Sequence, residues 1–394
     1  MNVIIGTRGS KLALAQAEYV KNRLQKHYPQ NSYELKIIST KGDREQKKAL
    51  DQIGDKGLFV REIEQELLDG TISLAVHSMK DMPAEQPSGL VFAHAWKRED
   101  PRDVLILREA VSLEKLPQHA VIGTGSRRRA FQLLQLRKDL RITGIRGNVD
   151  TRIKKMQEEQ LDGIVLAAAG LHRLGRTSLI TQYFEPEQMI PAAAQGTLAL
   201  ELREDHKELF EQVNALSDIV TEEITCAERL FLKGTGGDCH MPIGAYACKL
   251  PDGRMQLLGM VGSADGSSIK KCKVFGETPQ EAAQRALRET RIKKQNVLRF
   301  FGEMSIDYSG HQLQIGENPI VLSRTEFAIV ELLSLNAGQV FDRERIYESV
   351  WGLEGAGSSD TVMEHIRKIR AKLSAYTDHN YIETVWGIGY KWNG

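Results

Sequence analysis

Apolar positions along the first hundred residues alternate between two periods, and the switches between them predict the elements. Residues 3–7 form a short apolar run of strand character. Leu12, Ala13, Val20 and Leu24 then follow at helical spacing, with Ser10 placed to cap that helix. A second strand is predicted over 33–39. A glycine-bearing loop over 41–58 leads to a helix with Phe59, Ile63 and Leu67 on one face and Gly70 as its stop. Residues 72–77 read as the next strand. The order strand–helix–strand–helix predicts a mostly parallel sheet with helices on its faces.

The same alternation returns over 101–192, with strands expected at 103–107, 120–124, 141–145 and 163–168. A strand at 197–202 is placed to return to the first sheet. From 218 to 302 the order changes to a helix at 221–232, strands near 244–249, 254–261 and 270–275, and a long helix from 279 to about 298. This is a smaller α+β unit. In the last 90 or so residues, short strands (306–308, 312–315, 319–322) precede a capping box, Ser323 to Glu326, which opens an amphipathic helix. A second helix holds Ile346 and Val350. A third, 360–373, carries Val362, Ile366, Ile369 and Leu373 on one stripe, and a glycine-turned hairpin closes the chain. Four parts result: 1–96 plus 196–217, 97–195, 218–302, and 304–394 after a short join at 302–304.

Composition narrows the class. An apolar fraction of 41% and a charged fraction of 27% are those of a globular protein. No apolar run approaches the roughly 18–20 residues of a membrane span, and the start lacks a basic, cleavable leader, which predicts a cytoplasmic protein without membrane partners. Net charge is only +1, so any anion site must come from local clustering. The cysteines are Cys226, Cys239, Cys248 and Cys272. None forms C-x-x-C, so no metal site is expected, and a reducing compartment argues against disulfides.

The chemistry is concentrated past strand ends. In LAVHSMKDMP, His77, Ser78, Lys80 and Asp81 are expected in the turn after a buried strand, where open α/β sheets place their ligands. Arg8 follows the first strand in GTRGS. Arg127, Arg128 and Arg129 follow GTGS and open a helix, Arg146 and Arg152 flank GNVDT, and Arg173 lies in AGLHRLG. Arginine forks beside Gly, Ser or Thr suit carboxylate or phosphate, and their recurrence points to a ligand with several negative groups. The glycine-rich GTGGDCHMP presents Cys239 away from its own domain.

These residues carry a resemblance. GTRGSKLALAQ, DKGLFVREIE, LAVHSMKDMP, REDPRDVL, IGTGSRRR, IRGNVDTR, AAAGLHRLG, AAAQGTLALE and GGDCHMPIGAYA occur in this order over about residues 1–302. Together they resemble the porphobilinogen deaminase (hydroxymethylbilane synthase) family. The resemblance implies two domains similar to periplasmic binding proteins, with the active cleft between them, and a third domain whose Cys239 carries a covalent dipyrromethane cofactor. It implies a transferase of tetrapyrrole and heme biosynthesis that joins four porphobilinogen units head to tail and releases hydroxymethylbilane by hydrolysis. Asp81 matches the catalytic aspartate. Arg8, Ser10, Lys80, Arg128, Arg129, Arg146, Arg152 and Arg173 match positions that bind acetate and propionate groups, and Ser78 and Thr124 match supporting contacts. The enzyme part is expected to be a monomer.

Elementary chemistry agrees. Each porphobilinogen carries two carboxylates, so a growing chain accumulates negative charge. Loss of ammonia leaves positive charge spread over a pyrrole, which a carboxylate at Asp81 can stabilise. Cys239 is then an anchor and not a turnover nucleophile. Two departures stand out. Asp238 precedes Cys239 where glycine is common, and a negative neighbour disfavours thiolate. Arg127 adds a third arginine where a neutral residue is common.

The remainder, about 304–394, resembles the winged-helix DNA-binding domain of response regulators through LSRTEFAIVELL, VFDRERIYESVWG, DTVMEHIRKIRAKL and YIETVWGIGYKW. The resemblance implies that the third helix enters a major groove, with His365, Arg367, Lys368, Arg370 and Lys372 as candidate contacts to double-stranded DNA. Trp386 stands in the wing where arginine is usual. An alternative is a transcriptional regulator whose enzyme-like part senses a tetrapyrrole precursor. A third, a periplasmic-type binding protein, conflicts with the absent leader and the Cys239 loop.

Overall fold

A computed structural model describes residues 1–40, 60–83, 86–109, 112–236, 241–263, 266, 268–290, 298–308, 310–351 and 360–393. The chain divides into two compact units, Met1–Ile292 and Lys293–Gly394.

The first unit opens with β1 (Asn2–Thr7), α1 (Lys11–His27), β2 (Ser32–Ile37), α2 (Arg61–Leu68), β3 (Leu74–Ser78) and β4 (Leu90–Phe92). Ser10 caps α1 by accepting from the Ala13 N–H at 3.2 Å. The second layer is β5 (Asp103–Leu107), β6 (Val121–Gly123), α3 (Arg127–Leu136), β7 (Arg141–Thr143), α4 (Val149–Glu158), β8 (Gly163–Ala167), α5 (Ala168–Arg173) and β9 (Gln182–Tyr183). The chain then crosses back as β10 (Leu198–Arg203).

The first sheet has the order β2-β1-β3-β10-β4, and the second β7-β6-β8-β5-β9. In the first, β1 pairs parallel with β2 and β3, whereas β10 runs antiparallel to β3 and β4. That returning strand makes the first α/β layer discontinuous in sequence. Its register sets Ala199 opposite His77 and Leu198 opposite Ser78. The crossing therefore lies directly beside the turn that follows β3, and the Met79 N–H donates to Thr197 O at 3.0 Å.

The third region of this unit is α6 (Lys207–Asn214), α7 (Ile219–Gly234), the antiparallel strands β11 (Ile243–Lys249), β12 (Met255–Gly262) and β13 (Ile269–Gly276), and α8 (Pro279–Thr290). It is tied to the crossings by one buried carboxylate. Glu228 on α7 accepts from both Arg98 terminal nitrogens at 2.7 and 3.0 Å, from Ala194 N at 2.6 Å and from Ala247 N at 2.7 Å. Four donors compensate a charge with no solvent exposure.

The second unit contains β14 (Leu298–Phe301), β15 (Met304–Asp307), β16 (Gln312–Ile315) and β17 (Asn318–Ile320) as an antiparallel sheet. Then come α9 (Arg324–Leu335), β18 (Val340–Phe341), α10 (Arg343–Trp351), α11 (Asp360–Leu373), β19 (Ile382–Val385) and β20 (Gly389–Trp392). The Ser323–Glu326 capping box forms, and the Val362, Ile366, Ile369 and Leu373 stripe is buried against Phe327, Ile329 and Leu333.

The expected helix end near 298 and the join at 302–304 are corrected here. Among the described residues the helix is α8, Pro279–Thr290, and Leu298–Phe301 is a strand that pairs antiparallel with Met304–Asp307. Residues 302–303 are thus a hairpin turn, with Gly302 at φ +59°, inside the second unit. An apolar run beginning at Leu298 reads equally well as the last turn of a helix or as a strand, and only pairing decides.

Candidate functional site

The turn after β3 supplies the centre of the site. Ser78 is the last residue of β3, and His77, contrary to expectation, is not in that turn either. It is a buried strand residue whose Nε2 lies 3.3 Å from Glu201 on β10, because strand alternation sends it to the opposite face from Ser78. The turn itself is Met79–Asp81, a single turn of 3₁₀ helix. Met79 anchors it in the core, Lys80 is half-buried, and Asp81 is exposed at its end. Ser78 Oγ accepts from Gln16 Nε2 of α1 at 3.0 Å.

Lys80 lies in the field of Asp81, Arg129, Asp103 and Arg128. Burial is the largest influence, and its ammonium is pushed down to about 8. Arg152 is likewise pushed down to about 10 by burial, with Arg129 and Arg146 adding repulsion against the attraction of Asp81. Its Nε donates to Gly147 O at 2.8 Å. Arg146 has a buried terminal nitrogen, Nη1, with no hydrogen-bond partner among the described residues. Lys80, Arg128, Arg129, Arg146 and Arg152 thus share one cluster with Asp81 and Asp103, five cations against two carboxylates. Excess buried positive charge is costly unless an anion completes it.

Arg128 and Arg129 are buried on the first turn of α3, which Ser126 caps. Arg128 Nη1 donates to Asp103 Oδ2 at 2.6 Å and to Ile190 O at 2.7 Å. Arg129 reaches Asp103 Oδ1 through Nε at 2.9 Å and Val165 O through Nη1 at 3.1 Å. The two cations hold the Asp103 carboxyl well below the usual carboxylate range against its burial. Motif reading placed both arginines correctly past β6 but missed Asp103, although REDPRDVL contains it. A carboxylate inside an arginine-rich site has no local sequence signal.

The remaining candidates are dispersed on neighbouring elements. Arg8 is half-buried just past β1. Ser10 is committed to its cap. Thr124 is buried, and its Oγ1 accepts from the Ser126 N–H at 3.2 Å. Arg173 ends α5 and donates to Gly196 O at 2.6 Å, so it follows a helix turn and not a strand directly. Arg127 is exposed. Cys239 and Asp238 lie outside the described residues, in the segment between α7 and β11. Burial is the leading cause of raised thiol values at Cys226, Cys248 and Cys272, the last to about 11, so each is held protonated.

In the second unit the five candidate contacts separate. Arg370 turns onto its own fold, donating to Ile382 O at 3.0 Å and Thr384 Oγ1 at 2.8 Å. Lys372 bridges Glu326 at 2.7 Å and Val321 O at 3.0 Å. Arg367 and Lys368 are exposed but held by Glu364, at 2.8 and 3.6 Å. His365 is half-buried. The wing tip is apolar, with Trp386 90% exposed and Ile388 61%. Residues 293–394 carry 11 Lys and Arg against 13 Asp and Glu.

The first unit therefore has two α/β layers joined by paired crossings, with a cluster of cations around one exposed aspartate. That defines an α/β protein whose cationic cluster lies past the carboxyl ends of its strands, where open sheets of this kind place their ligands. Comparison with known proteins is more specific. Residues 3–211 match the model of the porphobilinogen deaminase dipyromethane cofactor binding domain, and 223–290 that of the porphobilinogen deaminase C-terminal domain. The porphobilinogen deaminase of Lachnospira eligens is 54% identical over 73% of this chain and 98% of its own length. That of Bacillus subtilis is 46% identical over 71% and 90%. The chain belongs to the porphobilinogen deaminase family. Residues 316–392 match the model of the transcriptional regulatory protein C-terminal domain, so a response-regulator-type DNA-binding domain is fused to it. The Klebsiella pneumoniae RstA DNA-binding domain is 29% identical over 24% of this chain and 96% of its own, with a TM-score of 0.22. Thermotoga maritima DrrB is 32% identical over 30% and 53%, with a TM-score of 0.24. No helix among the described residues is long and apolar enough to cross a membrane.

Proposed function

We propose that the first unit is a cytoplasmic hydroxymethylbilane synthase, acting as a monomer. It takes porphobilinogen, removes ammonia from each unit and joins four head to tail on a dipyrromethane primer held through Cys239. Hydrolysis then releases hydroxymethylbilane. The observation that carries this is the unbalanced charge: five clustered cations, two carboxylates and an orphaned Arg146 nitrogen. Those residues fit a ligand bearing several acetate and propionate groups, which Lys80, Arg146 and Arg152 would hold directly. When bound, dipyrromethane supplies a pyrrole carbon as the nucleophile.

The protein's own residues do the rest. Asp81 stabilises positive charge on the substrate pyrrole as ammonia leaves and holds the ring-nitrogen proton. Arg128 and Arg129, fixed by Asp103, present their remaining donors from a rigid helix start. Arg8 and Arg173 supply further cations from β1 and α5, while Ser10, Ser78 and Thr124 shape the loops around them. Purified full-length protein should consume porphobilinogen and show an intact-mass increment for a dipyrromethane adduct. Unmodified protein that consumes none would end the proposal. The sensor alternative is disfavoured, because relatives that match over 90–98% of their length are named as the enzyme.

For the second unit we propose duplex DNA as the ligand of α11, with Arg367 and Lys368 outermost, His365 half-buried beside them, and Arg370 and Lys372 supporting the helix. The net negative charge and the Glu364 clamp predict weak, strongly salt-sensitive binding. Mobility shift of the full chain on duplex DNA, at low and then rising salt, tests it. Absence of a salt-sensitive complex on any duplex would remove DNA from the assignment.

A further inference from the structure

Gln195 sits where the two crossings between the α/β layers touch, and no motif reading singled it out. It is 1% exposed. Its Nε2 donates to Pro101 O at 2.7 Å and to Asp103 Oδ1 at 2.9 Å, and its Oε1 accepts from Lys80 Nζ at 3.3 Å. Its backbone oxygen accepts from Arg98 Nε at 2.7 Å. One neutral amide thus spans from a cation on the first layer to an anion on the second. The charges fix its orientation. A flipped amide would turn N–H groups onto an ammonium and its oxygen onto a carboxylate.

The backbone is shaped to put it there. Ala194 has φ +59° and Gly196 φ +92°, so left-handed residues bracket Gln195. A Cβ on Gly196 would stand 2.4 Å from Glu99 O on the other crossing. A non-glycine residue is held at positive φ only where the surroundings over-determine it. Asp103 in turn fixes Arg128 and Arg129. The amide therefore links Lys80 to both arginines through a single anion.

We infer that Gln195 is a positioning residue for the deaminase reaction: it sets Lys80 of the first layer against the Asp103–Arg128–Arg129 group of the second and keeps the Lys80 ammonium charged. Substrate carboxylates that bridge the layers then meet cations at a fixed spacing. The inference rests on the proposed function for its catalytic meaning but not for its physical content. The groups facing Lys80 are Asp81, Asp103, Arg128 and Arg129. Two are attractive and two repulsive, so a neutral acceptor can tip the balance.

The test reads Lys80 directly. In the full-length protein without substrate, its acetylation rate against pH, followed by peptide mass spectrometry, gives its titration midpoint. Gln195→Met keeps the volume and removes the acceptor. A lost hydrogen bond to a charged group should lower the midpoint by about one pH unit. The alkaline limb of kcat/KM for porphobilinogen should move with it. Thr225→Val is the control for general loosening. Its Oγ1 meets Thr197 Oγ1 at 3.3 Å beside the same crossing, so this variant should lose stability without moving Lys80. Should the Met variant not fold, Gln195→Glu keeps an oxygen on Lys80, and its midpoint should hold or rise. An unmoved midpoint in Gln195→Met, an equal fall in Thr225→Val, or a fall in Gln195→Glu each overturns the inference. Loss of porphobilinogen turnover in the parent protein would instead remove the proposed function and leave this titration interpretable.

Discussion

Asp103→Asn is the most demanding perturbation of the site. The carboxylate is fully buried, and it accepts at 2.6 Å from Arg128 and at 2.8 and 2.9 Å from Arg129, with Gln195 at 2.9 Å. Asn keeps the shape and one acceptor but removes the charge. Two buried guanidinium groups then lose the one carboxylate that pairs with them among the described residues. Removing one partner of a buried ion pair costs about 3–5 kcal/mol, because the remaining charge is stranded. For a unit of this size, that corresponds to a fall of about 5–8 °C in its melting transition. Calorimetry of the full chain supplies an internal control, since the transition of the second unit should not move. The pH dependence follows from linkage. The folded Asp103 value is depressed, so its contribution is complete above the unfolded value of about 3.9 and is lost as pH falls toward the folded value. The gap between parent and variant should be constant from pH 5 to 8 and narrow below about pH 4. A polycarboxylate such as citrate should also stabilise the variant more than the parent. A shift under about 2 °C at pH 7, or a gap that widens in acid, would falsify the charge-balance argument.

The other predictions are narrower. Asp81→Asn should lower turnover by about 10²–10³ with little change in the melting profile, because the side chain is exposed and water screens its attraction for Lys80 and Arg152; near-normal kcat excludes that role. Arg146→Leu should raise KM about tenfold to a hundredfold while leaving the ligand-free protein as stable or more so, since its buried nitrogen has no partner to lose among the described residues. A drop in stability with unchanged KM would contradict it. Glu364→Gln releases Arg367 and Lys368 from the carboxylate, itself pushed down to about 2 chiefly by its hydrogen bond with Arg367. If α11 meets DNA phosphates, the variant should bind duplex more tightly and with a steeper salt dependence, and unchanged mobility shifts would place the contact elsewhere.

The two α/β layers were legible because helix and strand periods alternate cleanly over 1–203, and Ser10, Gly70 and the Ser323–Glu326 box mark helix ends by local chemistry. The returning strand β10 was also readable, since an apolar run after a crossing has few places to pair. The strand β14 was not. Leu298–Phe301 carries no signal that distinguishes a continuing helix from the first strand of the next unit, and its pairing partner lies beyond a turn.

Site residues show the same boundary between local and non-local information. Lys80, Asp81 and the arginines are recognisable because they stand next to strand ends with Gly, Ser or Thr beside them. That alone limits what they can do: hold anions and stabilise a developing cation. The sequence could not say that Arg370 and Lys372 are engaged by their own fold, that His77 faces Glu201, or that Asp103 and Gln195 organise the cations. Those facts depend on which charges meet across elements far apart in the chain. Chain order determined the elements and the kind of chemistry, whereas only tertiary packing, by burying charges whose partners lie 92 and 115 residues away in the chain, decided which of them are compensated.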